Sequence, residues 1–149
     1  DLKKWGVTVE KDEDTSYDNR FYWAKGIERK LEDESVVDDD GKAVIDSRTG
    51  KQMISRGLKY QWIEQTKSTA NGLLTASDWY VTRKSETDSA IPSDISKYRT
   101  DVRTATKTIE DKINGCSKLA DFIKLFDVPT DKDGNPTGNA PIYDFPDEV

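Results

Sequence analysis

The sequence predicts an α+β protein: N-terminal β-hairpins or a small antiparallel sheet, followed by a small helical half of three to four helices and an extended C-terminal tail. Three observations carry this reading. Aromatic and β-branched residues alternate with polar ones before residue 57, and apolar residues recur every three or four positions from Leu58 to Phe126. Beyond Asp131 the chain holds three of its five prolines and no apolar period. The expected organisation is a β-rich segment with an acidic hairpin arm over 1–56, a helical domain over 57–128 and a tail over 129–149. At 149 residues these parts are expected to make one structural unit.

Trp5 to Glu10 alternates as a strand does, and the aromatic run Arg20 to Trp23 suggests a second strand. Lys11 to Asn19 between them is almost wholly polar and reads as an exposed connection. From Ser35 to Ile54 the pairs Val36-Val37, Val44-Ile45 and Met53-Ile54 flank Asp40-Gly41 and Ser47-Arg48-Thr49-Gly50. Both separators have turn chemistry, so a meander or long hairpin arm is expected, with a mobile loop as the alternative.

Leu58, Trp62, Ile63, Thr66, Ala70, Leu73 and Leu74 define the first amphipathic helix, with Ser55 or Arg56 expected at its start. Gly72 weakens its last turn by about 1 kcal/mol relative to Ala. Ser77 and Asp78 are candidate caps for a short helix through Trp79 to Glu86, although Trp79 to Thr82 also suits a strand. After Pro92, Ser93 is the expected N-cap of a long helix whose inner face carries Ile95, Tyr98, Val102, Ala105, Ile109 and Ile113. Gly115 is expected to stop that helix and Ser117 to cap a last one bearing Leu119, Phe122, Ile123 and Phe126. In the tail, Ile142, Tyr143 and Phe145 are placed to clip the chain onto the domain or onto a neighbour.

Apolar residues make up 34% of the chain, against about 45–50% on the usual count that includes glycine, so the core must be small. Aromatic residues, each bringing about 150–250 Å² of buriable surface, offset part of the deficit. The expected core or interaction anchors are Trp62, Trp79, Tyr80, Tyr98, Val102, Ile109, Phe122, Tyr143 and Phe145. Neither Ser35 to Ile54 nor Asp131 to Val149 has apolar surface to offset about 1–2 kcal/mol per residue of backbone ordering. Contacts from neighbouring chains are expected to order both.

A net charge of −6 disfavours nucleic acid as a partner, since phosphate contacts need a basic surface. No apolar run approaches the ~20 residues that cross a bilayer, so no membrane insertion is expected. The single cysteine, Cys116, cannot form an intramolecular disulfide, and the absence of histidine removes the commonest general acid-base group.

Asp131-Lys132-Asp133-Gly134-Asn135 has the opening of a calcium loop, but Pro136 stands at the sixth position and Ile142 at the twelfth. A simple turn is the favoured reading. Asp12, Asp14, Ser16 and Asp18, and likewise Asp38 to Asp40, read as solvated acidic connections. Glu64 beside Trp62 is the best acid for a paired-carboxylate glycosidase, and a solvent-facing helical acid is the better account of it. Trp79, Tyr80 and Arg83 suit either a stacked ligand platform or core anchoring, and core anchoring is favoured in so polar a chain. No catalytic residue, cofactor or metal is expected.

The segment containing Gly57-Leu58-Lys59, Trp62-Ile63, Lys67, Leu74, Asp78-Trp79-Tyr80-Val81, Arg83, Glu86, Ile91-Pro92, Tyr98-Arg99 and Val102-Arg103 resembles small tail-associated proteins of tailed bacteriophages, in the style of tail assembly chaperone and tail-fibre assembly-like proteins. Asn19-Arg20-Phe21-Tyr22-Trp23 and Lys30-Leu31-Glu32-Asp33 add weaker support. The resemblance covers about half the chain, and Phe145-Pro146 stands where the family usually ends near Trp-Pro. It implies a non-enzymatic virion component of the tail or tail fibre, partnered by other tail proteins or by a second copy of this chain. The alternatives are a transient assembly chaperone in the host cytoplasm and a glycan-binding or glycan-cleaving module.

Overall fold

The computed structural model describes residues 15–148, and the strand expected over Trp5 to Glu10, with Asp12 and Asp14, lies outside them. Strands β1 (Tyr22–Ala24) and β2 (Ile27–Glu28) form an antiparallel hairpin, turned at Gly26 with φ +76°. A second two-stranded sheet pairs β3 (Glu34–Ser35) with β4 (Ile54–Ser55), Glu34 opposite Ser55. Four α-helices follow: α1 (Leu58–Thr75), α2 (Asp78–Thr87), α3 (Ser93–Gly115) and α4 (Leu119–Ile123). This is the α+β architecture that the alternating and helical periods predict.

Between β3 and β4 the chain closes on itself instead of looping freely. Val36 N–H donates to the Met53 carbonyl at 2.9 Å, Met53 N–H to Val44 at 2.8 Å, and Val44 N–H to Val36 at 3.0 Å. This triangle ties three short extended stretches together, with the pairs Val37–Ala43 and Ile45–Gln52 beyond it. One turn device recurs. An Asp Oδ1 accepts a backbone N–H two residues on, at Asp38 from Asp40, at Asp46 from Arg48 and at Asp131 from Asp133. Each turn then exits through a positive-φ glycine, Gly41, Gly50 and Gly134. The sequence 131–135 is thus a turn whose Asp131 oxygens are occupied by backbone and side-chain N–H groups of its own loop.

The N-cap of helix α1 is Gly57 and not Ser55 or Arg56. Its first free N–H groups, at Leu58 and Lys59, donate to the carbonyls of Lys30 and Leu31 at 2.9 and 3.0 Å, so no side-chain cap is needed. Gly57 permits this approach: a Cβ there would lie 2.3 Å from the Leu31 carbonyl oxygen. Lys59 pairs with Glu32 and donates to the Asn114 carbonyl at 3.2 Å, joining the front segment to the last turn of α3.

The other expected caps shift by a residue or change role. Pro92, not Ser93, is the N-cap of α3, and its carbonyl accepts from Ser96. Gly115 stays helical, and the extended backbone of Cys116 ends the helix. Lys118 precedes α4 in place of Ser117.

Helices α1 and α3 pack antiparallel along two apolar clusters. Leu58 meets Ile109, Ile113, Cys116, Leu119 and Phe122 at one end, and Ala70 meets Tyr98 and Val102 at the other. Ile95, expected on the inner face, is only half-buried at the α3 start. Phe21 from the front segment and Ile142 from the tail enter the first cluster, and Phe145 touches both clusters. The tail is therefore not simply extended. Pro141–Tyr143 forms a 3-10 turn that inserts Ile142, 2% exposed, into the chain's own core, which supplies the burial expected of neighbouring chains.

Candidate interaction site

Leu74, Ser77, Asp78 and Arg99 meet where α1, α2 and α3 converge. Arg99, 8% exposed, donates through one terminal nitrogen to the Leu74 carbonyl at 3.0 Å and to Ser77 Oγ at 2.7 Å. Its other terminal nitrogen pairs with Asp78 Oδ1 at 2.9 Å. Ser77 Oγ donates in turn to the Leu74 carbonyl at 3.0 Å. The hydroxyl expected to cap α2 thus serves Arg99, and α2 begins without a side-chain cap bond. Sequence reasoning did not assign Arg99 a site role. Its signal was spacing, since Arg99 lies four residues after Ile95 and beside Tyr98 on the inner face of α3.

Anchoring by Arg99 leaves α2 on the surface, with no buried residue of its own. Trp79, expected as a core anchor, is 51% exposed. Its ring stacks on Tyr80 at 3.8 Å between centroids, and the Arg83 guanidinium lies 4.8 Å from the Trp79 ring and 5.3 Å from Tyr80. The core-anchor expectation fails for Trp79 because α2 is held at its first turn and turns only Tyr80 and Arg83 partly inward.

The remaining anchors divide by position. Val102, Ile109 and Phe122 are fully buried, and Tyr98 is buried with its hydroxyl unpartnered among the described residues. Burial, with Glu148 adding, pushes the Tyr98 phenol above its ordinary pKa. Phe145 is half-buried and Tyr143 is exposed. Trp62 is half-buried, edge-on to Phe126 at 4.7 Å and to Tyr143 at 6.4 Å.

Trp62 and Tyr143 also line a cleft of about 500 Å³ with Asn19, Arg20, Arg29, Gln61 and Gln65, and no Asp or Glu is among its lining residues. The backbone of Asn19 and Arg20, just before β1, holds Arg29, whose Nη1 donates to both carbonyls at 3.3 Å. Its Nη2 donates to Gln61 Oε1 at 2.9 Å, and its guanidinium lies 4.5 Å from the Trp23 ring. Arg20 is neutralised by Asp18, 2.8 Å away. That pair holds the Asp18 carboxyl below its usual range through the Arg20 side chain and backbone N–H, and raises the Arg20 pKa, with a smaller contribution from Tyr143. The carboxylates on the other side of Arg29, Glu32 and Glu34, pair with Lys59 and Lys30. Sequence reasoning missed this cleft, because its walls come from three separate segments with no common motif.

Among the described residues no group of three or more Cys, Asp or Glu side chains is arranged to hold a metal ion. Glu64 lies exposed beside Lys67, 3.3 Å away, outside the Trp62 cleft. Cys116 is buried, and burial pushes its thiol up. No helix among the described residues is long and apolar enough to cross a membrane. Comparison of the chain with family models, curated protein sequences and solved structures gives no match.

Proposed function

We propose that the chain is a non-enzymatic, tail-associated structural or accessory protein of a tailed bacteriophage, acting through protein-protein contacts in the tail or tail fibre. The observation that supports this best is the location of large apolar side chains in solvent: Val37, Ile45, Met53 and Ile54 on the arm, and Trp79 and Val81 on α2. The arm satisfies its own backbone hydrogen bonds, so its exposed side chains are presented on a defined frame. Several large apolar side chains exposed on one ordered arm suit a protein partner. The resemblance of the segment from Gly57 to Arg103 directs the reading to tail proteins.

Native mass spectrometry of the isolated chain, alone and mixed with tail extract, tests this reading. A discrete complex with an identified tail protein, lost when Ile45 and Met53 are both replaced by Lys, is the expected result. A chain that stays alone in tail extract overturns it. Mass spectrometry of purified virions then separates a resident component, with stoichiometric peptides, from an assembly chaperone that leaves the finished particle.

A further inference from the structure

The geometry points to the Trp62 cleft as a binding site for a small acidic sugar, a uronic acid residue whose carboxylate pairs with Arg29. The first support is charge. In a chain of net charge −6, this cleft is lined by two arginines and no acid. Arg20 is already paired with Asp18, whereas the hydrogen-bond partners of Arg29 among the described residues are two carbonyls and an amide, all neutral. Those contacts and the Trp23 ring fix the guanidinium in place before any ligand arrives, which lowers the ordering cost of binding. A carboxylate is the natural counterion for such a fork.

The second support separates a sugar from an acidic peptide. Asn19 and Gln65 line the same cleft with side-chain amides that offer both donors and an acceptor, as adjacent ring hydroxyls require, while the Gln61 amide is held between Arg29 and the Arg56 carbonyl. Trp62 and Tyr143 add apolar ring surface for the C–H face of a pyranose. An acidic peptide also pairs with the arginine and the amides but has no pyranose C–H face to lay on Trp62 and Tyr143. The volume, about 500 Å³, suits one or two sugar residues. A wider groove of about 1020 Å³ along β2, which Arg29 also borders, mixes Glu28, Glu32 and Glu34 with Lys30 and Lys118 and lacks this charge selectivity.

The test titrates the full chain with trisaccharides of glucuronate, galacturonate and mannuronate, with maltotriose as neutral control and triglutamate as acidic peptide. Binding is followed by NMR at the Trp62 indole and the Gln61 and Gln65 side-chain amides. At least one uronate should saturate with a Kd on the order of 1 mM, at least tenfold tighter than maltotriose and triglutamate. Arg29→Gln should weaken that binding at least tenfold. Because Arg29 also braces β1, Gln65→Ala, on the exposed face of α1, provides a second variant and should weaken it about threefold. Failure of all three uronates, equal binding of maltotriose, or unchanged affinity in Gln65→Ala overturns the proposal. Tighter binding of triglutamate also overturns it and assigns the cleft to acidic peptide.

Discussion

Arg99 and Ser77 meet at 2.7 Å inside the junction of α1, α2 and α3, and this contact joins residues 22 positions apart. A guanidinium so enclosed is retained because each terminal nitrogen finds an oxygen, on Leu74, Ser77 or Asp78. Replacing Arg99 by Met should cost about 2–4 kcal/mol, since bonds to a charged donor are lost and the Ser77 hydroxyl loses its donor. Arg99→Lys should recover little, because a single ammonium cannot reproduce the fork. Asp78→Asn should cost under about 1 kcal/mol, as that carboxylate is mostly solvated. Urea denaturation of the three variants checks the order, and an Asp78→Asn loss equal to that of Arg99→Met would refute it.

Gly57 is fixed by close approach and not by backbone conformation, since its φ of −75° is open to any residue. Gly57→Ala sets a methyl against the backbone of Leu31 and Glu32, which cannot rotate away. A loss of about 1–3 kcal/mol is expected, in contrast to the gain that a Gly→Ala change brings at an unstrained site. Thermal melting of the variant decides the sign.

The same junction has an acid-sensitive group. Asp33 accepts from the Gly57 N–H at 2.8 Å and pairs with Arg56, and these two contacts hold its carboxyl below the usual value. Because the folded pKa is depressed, the contribution is present above the unfolded value of about 3.9 and is lost as pH falls through the folded pKa. Asp33→Asn should therefore flatten the stability profile on the acid side of pH 4 relative to the parent. Identical acid limbs in the two proteins would remove Asp33 from this role.

Trp79 now has a prediction opposite to that for a buried tryptophan. Half-exposed and stacked on Tyr80, it should cost less than about 1 kcal/mol on replacement by Ala, where an enclosed ring costs about 3–5. If α2 contributes to tail-protein contact, the complex should weaken while the melting temperature stays. A large fall in melting temperature would return Trp79 to a structural role.

The helical periods were legible because burial on α1 and α3 repeats with the helix itself. Tyr98, Val102, Ile109 and Ile113 all fall on the buried face of α3. Caps were less legible, since the first N–H groups of α1 are satisfied by carbonyls from the distant Lys30 and Leu31, which leave no local residue signature. Trp79 was misplaced because side-chain size predicts how much surface can be buried and not whether a short helix has a second face to cover it. The cleft was hidden for a related reason. Arg29, Gln61 and Tyr143 come together only after β1, α1 and the tail have docked on one core.

The tail and the arm should respond differently to the same measurement, although both looked equally poor in apolar residues. Ile142 is enclosed by the cluster of Phe21, Ile109, Ile113 and Phe122, so Ile142→Ala should cost about 2–4 kcal/mol and destabilise the helical half with it. Tyr143, exposed and edge-on to Trp62 and Phe126, should cost about 1 kcal/mol or less. The arm contributes no residue to either core cluster and is held by its own hydrogen bonds at an exposed surface. In the isolated chain its amides at Val36, Val44 and Met53 should exchange through local opening, faster than the α3 amides at Val102 and Ile109. Tyr143 and Phe145 N–H, bonded to the carbonyls of Ala140 and Tyr143, should be slower than the arm because releasing them requires withdrawing Ile142 from the core. Hydrogen exchange on the monomer reads all three groups together. Arm amides as slow as those of α3 would mean that the arm is part of the cooperative unit, and a tail as fast as the arm would mean that Ile142 is not the clip.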